Sequence, residues 1–392
     1  MKKKVFFVYE YKFNYKYELE HNFNYLEKKI KLNIIDLSKI FTPKYKKNIT
    51  RYNKKNLHVF SKLSNYIEAL KNYEPDYVVL EGAEDFKKKI NLITRRHLKR
   101  TRIIEFFNSP VPDELSNYKI YAIIKTILNI KIRFFYKIFF SLIKLALNKF
   151  KKSIHNQKNY YTDIIFYAGN KAFEDFKFKD FKKKVSSPSF DYQISLQQKQ
   201  RKNKVLKKKY AVFIDSMILH HDDKKFNYKE KEHLTGKKYF HDMNNFFDLI
   251  EKKFKLEIII ALHPTCFIKK YSKFFNNRKC FKYKTAELIK KSSYVFSHAS
   301  STAVNFAIIY NKPLIYLTTN EMEKSFLKYK RHLIKKKIFK YNFFNISDIK
   351  EKSIPNSFKI DKLAFEKYYK NYINSSKYKN VSLSEVFLRN LK

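Results

Sequence analysis

The chain has 392 residues, 44% of them hydrophobic, which is enough for two domains of about 100–200 residues each and excludes an intrinsically disordered protein. Its formal net charge is +49, but the lysines are spread along the whole chain, and the codon bias of an AT-rich genome explains much of this excess. Two cysteines, Cys266 and Cys280, exclude a disulfide framework and a cysteine-rich zinc site.

The first 115 residues alternate short apolar runs with amphipathic stretches, a pattern typical of βαβ units around a parallel sheet. We predict a helix at 66–73 and strands at 5–9, 32–37, 76–80 and 102–107. The run at 5–9 is shorter than the roughly 7–15 apolar residues of a signal peptide, and no stretch reaches the roughly 18 that cross a membrane. We therefore expect a cytoplasmic protein.

Residues 118–150 combine many large apolar side chains with charges that are all basic. Arg133, Lys137, Lys144 and Lys151 recur at spacings of 4, 7 and 7 residues, which places them on one helical face. This pattern predicts a basic amphipathic helix that contacts the anionic surface of the inner membrane. The alternative is a long packing helix whose basic side chains face water.

The rest of the chain repeats the alternation more clearly. Strands are predicted at 163–167, 210–214, 257–262, 294–297 and 313–317, and helices at 237–254, 285–291, 300–310 and 361–374. Thr285 is expected to cap the helix that it opens. Loops gather at the carboxyl ends of the strands, where open α/β sheets bind their ligands.

Together the two halves predict an α/β protein of two doubly wound, Rossmann-like domains facing across a cleft. We place the domains at 1–196 and 210–350. A polar, basic linker is predicted at 197–209, and a helical tail at 351–392 is expected to pack back on the domains.

Two loops of the second half carry the strongest signal for a binding site. His263 and Pro264 follow a buried strand, with Pro264 expected at the first position of a helix. Ser300, Ser301 and Thr302 follow a later strand and lead into a helix, where free N–H groups and hydroxyls suit a phosphate. Taken alone, the serines are consistent with an ordinary helix cap and the histidine with a loop residue. Because both loops follow strands of one parallel sheet, we expect them to converge on one ligand.

The HP loop combined with the Ser/Thr segment resembles GT-B transferases that use cytidine-activated donors. These are bacterial sialyl-, polysialyl- and Kdo transferases and, more loosely, the CDP-glycerol polymerases of teichoic acid synthesis. The segments KTAELI at 284–289, SSTAVNFA at 300–307 and KPLIY at 312–316 are also similar to surface-carbohydrate proteins of capsule loci. The resemblance covers roughly residues 210–320.

This resemblance implies a GT-B glycosyltransferase that moves a sugar from a nucleotide-activated donor, with a CMP-sugar favoured, to a growing surface polysaccharide or glycolipid of the capsule or lipopolysaccharide type. The domain at 210–350 would hold the nucleotide-sugar donor and the domain at 1–196 the saccharide or lipid-linked acceptor. No metal and no cofactor are implied, and the protein would work at the cytoplasmic face of the inner membrane. The implied donor-binding residues are His263, Pro264, Glu287, Ser300, Ser301 and Thr302, with His263 also stabilising the leaving nucleotide.

The general base is the open point of the resemblance. Sialyltransferases of this kind carry an acidic-acidic-glycine motif, which is not intact in this chain. Asp215, at the end of a strand, and Glu81, in the segment Leu80-Glu81-Gly82 after another strand, are two substitutes. For either one the alternative is a structural carboxylate paired with lysine.

Other functions fit parts of the pattern. A CDP-polyol phosphotransferase of teichoic-acid-like synthesis would use the same loops. A nucleic-acid-binding protein would need a clustered basic patch, whereas the lysines are diffuse, so we expect no nucleic-acid partner. The segment His220-His221-Asp222-Asp223 is a weak metal candidate, because no further ligand spacing supports it.

Overall fold

The computed structural model describes residues 2–43, 51–108, 161–171, 180–200, 208–219, 236–266, 268–298, 301–324, 326–375 and 378–391. The basic helix predicted at 118–150 and the loop at 220–223 lie outside these ranges.

The first domain is a seven-stranded parallel sheet with helices between its strands. Its elements are β1 (Lys4–Tyr9), α1 (Tyr15–His21), α2 (Phe23–Leu26), β2 (Lys31–Asp36), α3 (Ser38–Phe41), β3 (Leu57–Val59), α4 (Leu63–Tyr73), β4 (Tyr77–Glu81), α5 (Glu84–His97), β5 (Arg102–Phe107), β6 (Thr162–Ala168) and β7 (Phe181–Ser187). The strand order is β3-β2-β1-β4-β5-β6-β7.

The second domain has a six-stranded parallel sheet of the same kind, and helix α6 (Phe190–Gln200) leads into it. Its elements are β8 (Tyr210–Ile214), α7 (Gly236–Phe254), β9 (Glu257–Leu262), α8 (Ile268–Phe274), β10 (Cys280–Lys282), α9 (Thr285–Lys291), β11 (Val295–Ser297), a 3₁₀ turn (Thr302–Val304), α10 (Asn305–Ile309), β12 (Leu314–Thr318), α11 (Asn320–Lys324), α12 (Phe326–Ile338) and β13 (Phe343–Asn345). The tail adds α13 (Lys362–Tyr368), a π-helical turn (Tyr369–Ile373) and α14 (Leu383–Arg389).

The second sheet has the order β10-β9-β8-β11-β12-β13, so both sheets are wound outwards in both directions from a central pair of strands. This confirms the predicted fold class, an α/β protein of two doubly wound, Rossmann-like domains in the GT-B manner. In each sheet the direction in which successive strands are added reverses between two neighbouring parallel strands, β1 and β4 in the first sheet and β8 and β11 in the second. Crevices at such points are where open α/β sheets bind ligands.

The central strands are buried on both faces, which explains why they read as continuous apolar runs. Strand β1 directs Phe7 and Tyr9 to one face of the sheet and Phe6 and Val8 to the other, and all four side chains are buried. Strand β7 is different, because it lies at the edge of its sheet and carries three exposed lysines. No apolar run marks it, and its last residues fall in a segment that reads as turn-rich.

Two elements tie the domains together. Leu19 of α1 packs in the same apolar cluster as Tyr192 and Ile194 of α6 and the strands of the second sheet. In the tail, helix α14 returns to the first domain, where Leu383 and Phe387 are buried against its sheet. Residues 197–200, the start of the predicted linker, are the last turn of α6, so the helix continues beyond the expected boundary.

Two local predictions need correction. The helix expected at 300–310 is a short 3₁₀ turn followed by the five residues of α10. Thr285 is the first helical residue of α9 rather than its cap, since Lys284 occupies that position. Across the part of the chain that the structure describes, none of the helices is both long enough and apolar enough to cross a bilayer.

Candidate functional site

The two predicted loops leave the same edge of the second sheet. Strands β9 and β11 are both parallel to β8 and lie on either side of it. His263 follows β9, Asp215 follows β8, and the segment that leads to Ser301 follows β11. Neighbouring strands are about 4.8 Å apart, so the two loops begin about 10 Å from each other with Asp215 between them.

The loop that follows β9 is a tight turn. The backbone N–H of Cys266 donates to the carbonyl of His263 at 3.0 Å, which makes Pro264 the second residue of a β-turn. Pro264 is therefore not in the first turn of a helix, because α8 begins only at Ile268. Nδ1 of His263 lies 2.7 Å from the hydroxyl of Thr265, which fixes the orientation of the imidazole.

Asp215, at the end of the neighbouring strand β8, contacts this turn. Its Oδ1 accepts from the backbone N–H of Met217 at 2.9 Å, and its Oδ2 lies 3.7 Å from the thiol of Cys266. The carboxylate is only 5% exposed, and burial raises its pKa from 3.8 to about 6 although both contacts act to lower it. One oxygen of Asp215 thus holds the loop that follows β8 and the other contacts the turn that follows β9.

The loop that follows β11 is anchored by a histidine that sequence reasoning did not single out. His298 is fully buried, with Nδ1 2.9 Å from the carbonyl of Leu317 and Nε2 2.8 Å from the hydroxyl of Tyr239. Since the carbonyl can only accept, Nδ1 is the donor in that contact, and Nε2 shares the second hydrogen bond with the tyrosine hydroxyl. His298 therefore fixes the point from which the loop departs.

Beyond this anchor, the hydroxyl of Ser301 accepts from the N–H of Ala303 at 3.2 Å. Ser301 is thus the cap of the 3₁₀ turn, and its own hydroxyl proton remains a donor. Thr302 is half-buried at the start of that turn, and Ser300 lies outside the described residues.

A buried side-chain contact joins this turn to helix α6, which links the two domains. Asn305, directly after the 3₁₀ turn, donates through Nδ2 to Oδ2 of Asp191 at 2.8 Å. Asp191 lies in the first turn of α6, where burial is the main cause that raises its pKa from 3.8 to about 7. The charges of Glu20 and Lys16 also act on Asp191, which brings α1 to the same place.

Glu287 is half-buried in the first turn of α9. Its charge contributes to the raised pKa of Tyr210, about 12, for which burial is the larger cause. Tyr210 opens β8 at the end opposite to Asp215, whereas α9 begins three residues after the end of β10, at the sheet edge where β9 also ends.

The facing edge of the first domain presents a second group of polar residues. Glu81 ends β4, and the next residue, Gly82, has no room for a side chain, because a Cβ would lie 2.7 Å from that of Glu10. Glu10, which follows β1, accepts through its carboxylate from the N–H of Ala83 at 2.6 Å. The glycine therefore lets the two loops at the β1–β4 switch point close on each other.

Helix α1 crosses this edge and carries charged residues into the cleft. Lys16 pairs with Glu20 at 3.0 Å, and its pKa is raised first by the charge of Glu20 and also by those of Asp191 and Glu81. Lys16 is nevertheless more than half exposed. The rings of Tyr15 and Tyr283 meet across the domains with centroids 6.0 Å apart.

The structure thus brings together His263, Pro264, Asp215 and the Ser301–Thr302 segment on one edge, and places Glu81 on the facing edge. Sequence reasoning missed Lys16, Glu20, His21 and Asp191, which meet here only because α1 and α6 pack between the domains. The residues that the structure describes contain no group of three or more His, Cys, Asp or Glu side chains arranged to hold a metal ion.

No protein-family model matches the chain, and no match is found among curated proteins. Among solved structures, the UDP-GlcNAc 2-epimerase from Methanocaldococcus jannaschii is 13% identical with a TM-score of 0.48, and the alignment covers 99% of this chain and 98% of that one. MurG from Acinetobacter baumannii is 7% identical with a TM-score of 0.44, at 99% coverage of both chains. The spinosyn forosaminyltransferase SpnP is 9% identical with a TM-score of 0.44, covering 99% of this chain and 98% of that one. Identities and TM-scores this low assign neither donor nor reaction to this chain.

Proposed function

We propose that this chain is a glycosyltransferase that moves a sugar from a nucleotide-activated donor, with a CMP-sugar favoured, to a growing surface polysaccharide or glycolipid. The observation that carries the proposal is the convergence of the His263 turn and the Ser301–Thr302 turn on one sheet edge, opposite a second edge that bears Glu81. A cleft of this kind accommodates a phosphate on one side and an acceptor hydroxyl on the other.

The second domain binds the donor. Its phosphate lies between the imidazole of His263 and the hydroxyl and amide groups of Ser301 and Thr302, with Glu287 reaching a ribose or sugar hydroxyl. When the bond between the anomeric carbon and the phosphate oxygen breaks, the electron pair leaves with the nucleotide. Hydrogen-bond donors already oriented towards that oxygen stabilise the charge as it develops. The support for this role is the fixed orientation of His263, held through Nδ1 by Thr265.

The first domain activates the acceptor, and Glu81 is the general base. Asp215 is unsuited to that role, because it is 5% exposed and its oxygens face Met217 and Cys266. The side chain of Glu81 is 17% exposed at the cleft edge. A base must lie within hydrogen-bond reach of the hydroxyl that it deprotonates, which requires such access.

The experiment that tests the function is a thermal-shift titration with CMP, CDP, UDP and GDP in the presence of EDTA, followed by turnover of the corresponding nucleotide sugars. We expect one nucleotide to raise the Tm of the wild-type protein and His263→Ala to abolish that rise, with Lys208→Ala, a change at an exposed lysine two residues before β8, as the matched control. If none of the four nucleotides changes the Tm, the proposal is wrong.

The acceptor determines where in the cell the enzyme works. A lipid-linked or membrane-borne saccharide requires an enzyme at the cytoplasmic face of the inner membrane, and the basic segment 118–150 would provide the contact. Flotation with vesicles containing anionic lipid tests this, since neutralising Arg133, Lys137, Lys144 and Lys151 should abolish binding. Equal flotation of the neutralised variant would exclude this segment as the anchor.

A further inference from the structure

His21 is a histidine in an apolar cage. It is the last residue of α1 and is 3% exposed. Four phenylalanine rings surround its imidazole with centroids 5.0 to 5.3 Å away: Phe7, Phe23, Phe106 and Phe190. Packing alone does not call for a polar ring here, because an aromatic hydrocarbon would fill the same space without burying ring nitrogens.

The carboxylate proposed as the base is a polar neighbour of this ring. Nε2 of His21 lies 3.2 Å from Oε1 of Glu81, at an angle that falls short of a hydrogen bond. Within the described part of the chain, His21 is the only ion-pair partner of Glu81, since the nearby Lys16 pairs with Glu20.

A tyrosine completes the group. Tyr9 is the register partner of Glu81 on the neighbouring strand, so both side chains lie on the same face of the sheet. Its pKa is raised well above the usual value, first by burial and then by the charge of Glu81. Among the described residues, the Tyr9 hydroxyl, Nε2 of His21 and Oε1 of Glu81 are all buried without a hydrogen-bond partner. Buried polar atoms normally have hydrogen-bond partners, so each of these three atoms calls for a physical explanation.

We propose that His21 is the positioning residue of Glu81, holding one carboxylate oxygen inside the domain so that the other faces the acceptor. This inference rests on the proposed function. In the reaction the acceptor hydroxyl gives its proton to Glu81, its oxygen forms the bond to the anomeric carbon, and the bond from that carbon to the donor phosphate breaks. The proton is then held on the carboxyl group of Glu81 next to the imidazole, and the electron pair leaves on the nucleotide phosphate.

The geometry explains why His21 is rigid while Glu81 is partly exposed. The phenylalanine rings prevent the imidazole from turning, and Asn22, which ends α1 with a φ of +53°, fixes the helix end from which it projects. A carboxylate with one oxygen held this way has fewer rotamers to lose when the acceptor binds. His21 acts through Glu81 and does not touch the substrate itself.

The test uses His21→Phe, which preserves the packing, His21→Gln, which restores a polar atom near the position of Nε2, Glu81→Gln, and the double variant of His21→Phe with Glu81→Gln. The control is Phe23→Leu, which alters the same cage and keeps the imidazole. We expect His21→Phe to lower kcat by about 10- to 100-fold, the usual range for a residue that orients a functional group, with the donor KM within about twofold of wild type. His21→Gln should recover part of that loss, and the double variant should be no slower than Glu81→Gln alone.

The inference is overturned if His21→Phe is no slower than Phe23→Leu, or if the losses from His21→Phe and Glu81→Gln multiply in the double variant. Failure of the proposed function would appear separately, as the absence of a nucleotide-dependent Tm shift in the wild-type protein. In that case the Tm values of the two single variants and the double variant still test the contact: additive changes would refute it, and non-additive changes would support it.

Discussion

Replacing Asp191 by Asn isolates the consequence of placing an acidic side chain between the two domains. Asp191 is 8% exposed and accepts a hydrogen bond from Asn305, and burial raises its pKa from 3.8 to about 7. Because the pKa of the folded state lies above that of the unfolded chain, the folded protein holds this proton across the interval between the two values. The stability that Asp191 contributes is complete below about pH 4 and is lost as the pH rises through 7.

The size of the effect follows from the two values. A change from 3.8 to about 7, at about 1.4 kcal/mol for each pH unit, corresponds to roughly 4 kcal/mol. Asn has nearly the same shape, can still pair with the amide of Asn305 and does not ionise. The difference in free energy of unfolding between Asp191→Asn and wild type should therefore grow in favour of the variant from pH 4 to 7 and level off above 8.

Urea unfolding at intervals of one pH unit from 4 to 9 measures this difference. The matched control is Asp348→Asn, because Asp348 is exposed and its φ of +58° suits asparagine. Its profile is the baseline against which that of Asp191→Asn is compared. A flat profile for Asp191→Asn, or one that favours wild type increasingly at high pH, would refute the assignment of a buried, proton-holding carboxyl group at the interface.

Three further variants test other parts of the structure. Lys335 is 1% exposed, and burial lowers its pKa to about 7. Its contribution to the stability of the folded protein is therefore complete above about pH 10.5 and is lost as the pH falls through 7. Lys335→Met should raise the Tm at pH 7 and flatten the rise of the Tm towards pH 10, and an unchanged slope would contradict this. Thr265→Val removes the hydroxyl that holds His263 and should weaken nucleotide binding about 2- to 10-fold in calorimetry, in line with one lost hydrogen bond, whereas unchanged affinity would count against the role of the turn. Gly82→Ala places a methyl group 2.6 Å from the ring of Phe86 and should cost about 1–3 kcal/mol in urea unfolding, and a neutral result would mean that the two switch-point loops can separate freely.

The elements that sequence patterns identify best are the central strands. The run at 5–9 is apolar throughout, and the runs at 102–107 and 257–262 are mostly apolar, because both faces of these strands are buried. The edge strand Phe181–Ser187 has three exposed lysines, and the tail helix Leu383–Arg389 buries only part of its surface, so neither has a run long enough to recognise. Helix α6 extends through the first four residues of the predicted linker, because a polar, basic composition does not distinguish the last turn of a helix from a loop.

The residues of the candidate site also differ in how well the sequence predicts them. His263, Pro264 and the Ser301–Thr302 segment were recognisable because each lies within a few residues of a strong strand pattern, and strand ends mark binding edges in α/β sheets. Pro264 shows the limit of that reasoning, because the residue that follows a strand can begin a turn or a helix, and hydrogen bonding between Cys266 and His263 decides for the turn. The buried anchor His298 carries no sequence signal that separates it from an ordinary loop histidine.

The amino-acid sequence by itself determined the α/β class, the doubly wound pattern of both halves and the loops that leave the second sheet, because these depend on hydrophobic periodicity over a few residues. Only the tertiary structure decided which carboxylates meet in the cleft and what faces them. Glu20, Glu81 and Asp191 are far apart in the chain, and His21 reads as one polar residue in a short helix. Their association depends on strand order and on the packing of α1 and α6 between the domains, and no local pattern encodes a contact between residues so distant in sequence.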